Sequence, residues 1–220
     1  MENLNVKIFS MLYFMRENIV SSSLQQFLIH GIRKMTIQQI IHPLGLSTKT
    51  VYKHFANKEA LLEECLILHY SGMFLKMKDL EMNYSSPLLL LFQLHIKGIE
   101  LDFKVNPVFY YDLNHYYPDL QDNVMRSGAQ EAQHFMVNII EKGKNQHYIR
   151  SEISTTVILE TLGLLYRSLT RTNTFDKFNV SVFELAENTL GVYLRGICTE
   201  KGLIEINNHK NLTTFNENKT

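Results

Sequence analysis

Cysteine is scarce in this chain: there are 2 in 220 residues, Cys65 and Cys198, far apart and with no pair spacing. A disulfide framework and a structural zinc site are thereby excluded, and a reducing cytoplasm is the expected compartment. Long apolar runs are also missing. None approaches the roughly 20 residues that cross a bilayer, so no membrane association is expected. Equally absent are a glycine-rich phosphate loop, a nucleophile elbow and a metalloprotease motif. His69, His95, His115 and His134 fall on four separate proposed helices, near Asp102 and Asp112 in sequence, without the helical spacing of bundle metal sites. No enzymatic activity, metal or cofactor is expected. Alternating strand-like runs, internal repeats and low-complexity tracts do not occur.

Acidic residues are lacking in one long segment. From residue 18 to residue 58 there is no Asp or Glu, while Arg33, Lys34, Lys49, Lys53 and Lys58 give +5; residues 1–17 are neutral and residues 59–220 carry −5. The formal net charge of zero therefore hides a polarised molecule. A positive end on an acidic remainder suits a reader of DNA, because phosphate neutralisation supplies much of the affinity while the remainder is repelled from the backbone.

Within that segment, residues 36–62 have the punctuation of a helix, a glycine turn, a capped second helix and the start of a third. Gly45 can supply the left-handed residue that ends the first helix, Leu46 plugs the corner, and Ser47 can cap the next helix. Val51 and Phe55, four apart, face inward. Thr48, Lys49, Thr50, Tyr52, Lys53 and His54 are left outward, a surface of donors, positive charge and one phenol ring suited to phosphates and base edges. This is the shape of a helix-turn-helix that places its second helix in the major groove.

Leu44-Gly45-Leu46-Ser47, Tyr52, Phe55 and Asn57-Lys58-Glu59-Ala60-Leu61-Leu62, together with Arg16-Glu17-Asn18-Ile19-Val20, Phe27 and Gly31 upstream, closely resemble the TetR/AcrR family of bacterial helix-turn-helix regulators. The likeness covers roughly residues 16–65. His42-Pro43 departs from it, and the proline, which lacks a backbone donor, is expected to end the second helix early; Ser22 and Ser23 stand where small residues are usual. The resemblance implies that Thr36, Tyr52 and Lys58 meet phosphates, Lys58 at a helix start whose polarity favours anions. It implies further that Thr48, Lys49, Thr50 and His54 address bases or nearby phosphates.

The expected fold is all-α, an N-terminal three-helix helix-turn-helix head on a larger helical sensor and dimerisation bundle. Residues 1–15 form an extension, read either as a helix packing on the head or as an over-called start with Met15 as initiator. Residues 16–62 are the DNA-binding domain, 63–206 the ligand-binding and dimerisation domain, and 207–220 a disordered tail rich in Asn, Thr and Lys. Beyond residue 58 six helices follow: Lys58 to about Asp79, Pro87 to about Val105, Pro107 to about Tyr117, about Leu120 to Lys142 closed by Gly143, one capped by Ser154 reaching about Arg171, and Ser181 to Thr199. Prolines 87, 107 and 118 fall at their boundaries.

The last two of these helices are too apolar for a surface position. Ile158, Leu162, Leu165 and Leu169 form one stripe of the first, with Val157, Gly163 and Leu164 a second; the other helix has Val182, Leu185, Thr189 and Tyr193 on one side and Phe183, Leu190, Leu194 and Ile197 on another. Each helix thus has one face for its own core and one to bury elsewhere. The resemblance implies a four-helix homodimer interface, for which Ile158, Leu162, Leu165, Leu169, Leu190 and Leu194 are the candidates. A two-fold dimer also matches paired operator half-sites.

Aromatic and methionine side chains at helical spacing are mostly plain core. Phe109-Tyr110-Tyr111 and Tyr116-Tyr117 on one short helix, however, cannot all face one core. Phe92, His95, Phe103, Phe109, Tyr110, Tyr111, Tyr116 and Phe135 are the candidate pocket for a hydrophobic or aromatic small molecule. The expected function is a ligand-responsive homodimeric repressor that binds a double-stranded DNA operator. The alternative is a constitutive or protein-partner-controlled factor of the same fold.

Overall fold

The computed structural model describes the backbone of residues 2–170 and 177–215 and the side chains from Tyr13 onward within those ranges, Ala129 excepted. The described residues are helical almost throughout, and their isolated β-bridge, Ile149 with Cys198, leaves the all-α expectation standing. The helices are α1 Glu2–His30, α2 Ile37–Ile41, α3 Thr48–Val51, α4 Lys58–Glu81, α5 Pro87–Phe103, α6 Pro107–Tyr116, α7 Pro118–Asn145, α8 Thr155–Thr170, α9 Val182–Ala186, α10 Val192–Gly196, α11 Glu200–Asn208 and α12 Lys210–Thr213. A π turn, Glu187–Gly191, joins α9 to α10 without a break. Helix α1 starts at Glu2, so residues 2–15 continue the helix that was expected to begin near Arg16. How their side chains up to Leu12 pack lies outside the described residues.

Two units emerge. The first comprises Met1–Gly72 and Val105–Gly128, the second Met73–Lys104 and Ala129–Thr220. The expected boundary after residue 62 is therefore too simple, because α6 packs with the head. Phe109, Tyr110 and Leu113 of α6 are buried in the same core as Ile19, Phe27, Ile32, Ile40, Val51, Leu61 and Leu66. Asn106 prepares this docking. Its side chain caps α6 by accepting from Val108 N–H at 2.9 Å and donates to the Ile29 carbonyl at 2.8 Å. Pro107 follows at the first helical position, where its missing donor costs nothing.

In the second unit α5 is apolar around most of its surface and buried there, with Gln93, Lys97 and Leu101 half-buried along one side. Leu91, Phe92 and Ile99 of α5 meet Ile139 and Ile140 of α7, Ile158 and Leu162 of α8, and Leu190 and Leu194 of the π turn and α10. Helix α7 runs through Gly143 to Asn145 instead of stopping there. Gly143 serves close contact there and not termination, since a Cβ at this position would stand 2.6 Å from Ile149 Cδ1. Ser181 caps α9 as expected for the start of that helix, accepting from Glu184 N–H at 3.2 Å.

The tail is ordered further than its composition suggested. Residues expected to be disordered from 207 form the end of α11 and all of α12, with Thr213 and Phe215 buried. Polar side chains hold the segment from far away in sequence. Gln93 Nε2 donates to the Leu212 carbonyl at 2.5 Å, Arg195 Nη2 to the Thr213 carbonyl at 3.1 Å, and Phe215 N–H donates to Glu187 at 3.0 Å. Glu187 and Arg195 pair at 2.7 Å. The remaining expectation, for 216–220, lies outside the described residues.

Both thiols are buried. Cys65 donates to the Val20 carbonyl at 3.4 Å and Cys198 to the Leu194 carbonyl at 3.1 Å. Burial pushes the Cys198 thiol up to about 12, against a smaller opposing effect of Arg195, and raises that of Cys65 as well. Since the thiolate is the reactive form, neither cysteine is expected to react with a maleimide in the folded protein at pH 8, and both are expected to react in urea. Stoichiometric labelling of the folded chain would contradict this burial.

Candidate nucleic-acid interface

The helix-turn-helix is built by local capping. Thr36 is extended and caps α2: Gln39 N–H donates to its hydroxyl at 3.3 Å while Thr36 N–H donates to the Gln39 side chain at 2.9 Å, a reciprocal box. Ile37, Ile40 and Ile41 are buried. Helix α2 ends at Ile41 and gives way to a 3-10 turn, His42–Leu44, with Pro43 at its start, which is the early stop the proline demands. Gly45 then takes φ +62°. Ser47 caps α3, accepting from Thr50 N–H at 3.2 Å, and its hydroxyl lies 2.9 Å from the Thr50 hydroxyl.

Val51 and Phe55 are buried as expected. Thr48, Lys49, Tyr52 and Lys53 are exposed, and Thr50 and His54 half-buried. The side chains of Thr48, Lys49, Tyr52 and Lys53 make no bond among the described residues, so their donors face outward. Thr50 instead contributes its hydroxyl to the cap.

Lys58 departs from its expected place. Its Nζ donates to the Ile32 carbonyl at 2.6 Å and lies 5.9 Å from the centre of the Phe27 ring. Desolvation there lowers its pKa, with the Asp112 carboxylate acting in the opposite sense. An ammonium has three donors. One is committed to the head, so Lys58 is first a strut between α4 and the turn after α1, and only its remaining donors are available to a phosphate.

That turn is gripped from α6. Gly31 takes φ +80°, and a Cβ there would stand 2.7 Å from Val108 Cγ1 and 3.0 Å from Asp112 Oδ2. The closeness lets Asp112 accept from the backbone N–H groups of Ile32 at 2.8 Å and Arg33 at 2.7 Å. Arg33 in turn donates to the Tyr116 hydroxyl at 2.6 Å, its guanidinium 4.4 Å from the centre of that ring. Nothing in the local sequence of residues 31–36 announced Asp112 as a partner, nearly 80 residues away.

The pocket candidates divide between the two units. Phe109 and Tyr110 belong to the core of the head, while Tyr111 and Tyr116 are exposed on it. In the second unit Phe92 and His95 are buried, Phe135 is partly buried and Phe103 is exposed. His69 approaches the Tyr110 hydroxyl at 3.2 Å, and His115 stacks on Tyr111 at 5.2 Å. A cavity of about 520 Å³ on the head is lined by Gln26, His30, Met35, Gln38, Gln39, His42 and Pro43, none of them among the candidates.

The two apolar stripes of α8 and of the α9–α10 run exist, but they face the other way from the expected assignment. Ile158, Leu162, Leu169, Leu190 and Leu194 are buried in the protomer's own core, and Leu165 is partly buried against it. Val157, Leu164 and Val192 are the ones exposed, at 55%, 57% and 59%. The face left to bury elsewhere is theirs. Among the described residues no helix is long and apolar enough to cross a membrane.

Residues 19–65 match the family of bacterial regulatory proteins, tetR family. The head is a TetR-family DNA-binding domain. Solved structures extend the likeness in fold to most of the chain. It is similar to a putative transcriptional regulator from Saccharomonospora viridis in complex with choline, at 17% identity and a TM-score of 0.68 over 86% of this chain and 100% of that one. It is also similar to the reduced form of E. coli NemR, at 17% identity and 0.65 over 84% and 97%, and to the fatty acid degradation regulator FadR from Bacillus halodurans, at 16% and 0.62 over 83% and 95%. At such identities these likenesses establish the fold. No curated protein sequence matches the chain.

Proposed function

We propose that this TetR-like transcription regulator acts as a homodimer, a repressor that leaves its operator when a hydrophobic or aromatic small molecule binds. The observation that carries the DNA reading is the outer face of α3: Thr48, Lys49, Tyr52 and Lys53 project donors and charge with no internal partner, on a segment free of acids. Thr36 and Tyr52 contact phosphates; Thr48, Lys49, Lys53 and His54 address base edges or nearby phosphates; Ser47 and Thr50 shape the cap that aims them, Thr50 also facing the groove. Lys58 supports the backbone contacts with its free donors. The site of action is the cytoplasm.

Dimerisation is supported by the exposed Val157, Leu164 and Val192. The sensor reading is supported by the choline complex of the Saccharomonospora viridis relative and by a polar group inside the second unit. There Tyr166 donates to Asp102 at 2.8 Å, the buried His95 ring lies 6.4 Å from the Tyr166 ring, and Gly98 leaves room for the Tyr166 hydroxyl. The burial of Phe109 and Tyr110 in the core of the head and of Phe92 in that of the second unit favours the alternative, a constitutive or partner-controlled factor. A small-molecule thermal-shift screen separates the two, because an inducer raises the melting temperature by mass action and also weakens DNA binding.

The DNA reading is tested by titration of duplex DNA, including the fragment just upstream of the protein's own gene. Affinity is expected to fall by about 10³–10⁵ between 50 and 200 mM salt if the dimer makes about 6–10 phosphate contacts. Lys49→Ala is expected to relax preference at particular base pairs, at about 1–3 kcal/mol against the specific site. Affinity indifferent to salt, or the same selected motif from a random pool for Lys49→Ala and the unmodified protein, would count against the docking.

A further inference from the structure

Arg33 has an environment that its surface position does not require. Its own N–H and that of Ile32 are fixed by Asp112, and the guanidinium is held over the Tyr116 ring and hydrogen-bonded to the Tyr116 hydroxyl. Among the described residues it forms no ion pair with a carboxylate. A guanidinium carries five N–H donors in a rigid fork. One is engaged by Tyr116, so a positive group with open donors is held in a fixed direction at the surface. Lys34 stands next to it, exposed, and Lys58 Nζ reaches the carbonyl of Ile32 one residue before it. Thr36 lies three residues further on, within about 11 Å even for a fully extended chain.

We propose that Arg33 is a DNA-backbone contact of the head, outside the recognition helix, and that Tyr116 of α6 is its positioning residue. The inference rests on the DNA-binding reading given above. A bidentate guanidinium–phosphate contact is favoured by planarity and by prior immobilisation, since the rotamer freedom it would otherwise lose on binding has already been lost in the free protein. Helix α6 thereby belongs to the DNA interface without touching DNA. It sets the direction of a contact through one hydroxyl and one ring.

The probe is mixed-sequence duplex DNA of about 30 base pairs, in which phosphate contacts supply essentially all of the affinity. Affinity is measured against salt for the full chain and for Arg33→Ala, Arg33→Lys, Lys34→Ala and Tyr116→Phe, with the helical circular dichroism and melting of each variant alongside. Arg33→Ala is expected to reduce the salt slope by about one per subunit. Arg33→Lys keeps the charge and is expected to keep the slope while losing several-fold in affinity. Tyr116→Phe keeps the ring and removes the hydroxyl, and is expected to weaken binding several-fold at an unchanged slope and an unchanged melt, a split that a purely structural role would not produce. If Arg33→Ala leaves the slope intact, or if Lys34→Ala lowers it as much as Arg33→Ala does, the assignment is overturned. An unmodified protein that binds no duplex overturns the DNA reading itself; one that binds normally with an insensitive Arg33 overturns only this inference.

Discussion

Leu164→Glu combined with Val192→Glu is expected to yield a helical monomer, whereas Leu162→Glu or Leu190→Glu is expected to yield a chain that does not fold. The four positions look interchangeable as letters, all apolar and all on the last long helices. Leu162 and Leu190 are at 1% and 0% exposure, and a carboxylate there would be buried without a partner, at a cost of several kcal/mol against a total stability of roughly 5–15. Leu164 and Val192 point out of the protomer, so a charge at either is harmless to the isolated chain. In a two-fold dimer each charge appears twice in a desolvated bundle, and four unpaired carboxylates exceed what such an interface has to spare. Light scattering at micromolar concentration reads the mass and circular dichroism the helix content. A double variant that remains dimeric would mean that the dimer face lies elsewhere.

The second large effect is expected at Asp112. Asp112→Ala leaves the N–H groups of Ile32 and Arg33 without their acceptor, and an unpaired buried donor costs about 1–3 kcal/mol. A loss of roughly 2–5 kcal/mol from the head is expected, seen as a lower urea midpoint, together with weaker DNA binding, because the turn it fixes leads directly into the cap of α2. Asp112→Asn retains one acceptor oxygen and should recover part of the loss. Gly31→Ala should damage the same joint by a different route, through a Cβ forced against Val108 at a positive φ. An Asp112→Ala protein with an unchanged midpoint would show that the corner is held by other contacts.

What could be read from the sequence was the part that local chemistry decides. Gly45, Ser47 and Pro43 act within three residues of themselves, so the turn, the cap and the helix stop were legible, as was the inward pair Val51 and Phe55; the equally local cap made by Thr36 was missed. What could not be read was decided at a distance. Two apolar stripes per helix announce two buried faces but not which one turns toward α5, and Leu162 and Leu164 exchanged their expected roles for that reason. Lys58 has the composition of a surface cation, yet the Ile32 carbonyl that captures it lies 26 residues upstream. The destinations of the pocket candidates were set in the same way. Phe109 and Tyr110 complete the core of the head, a destination set by how α6 docks and not by their own spacing. The tail's polar letters read as disorder because Gln93, Glu187 and Arg195, which hold it, are elsewhere in the chain.

The π turn at Glu187–Gly191 sets the direction of the helix that follows it. A π turn is a stretch of helix that carries one residue more than the regular hydrogen-bond ladder needs. At 3.6 residues per turn, one extra residue rotates everything after it by about 100° relative to everything before. Glu187 and Arg195, eight apart, would point in different directions on a regular helix; with the extra residue between them they meet at 2.7 Å. Deleting Asn188 would restore the regular ladder and swing Arg195 away from both Glu187 and the Thr213 carbonyl. The segment from Lys210 to Phe215 would then lose its clasp. One extra residue in mid-helix thus determines whether the turn around Thr213 has anywhere to dock.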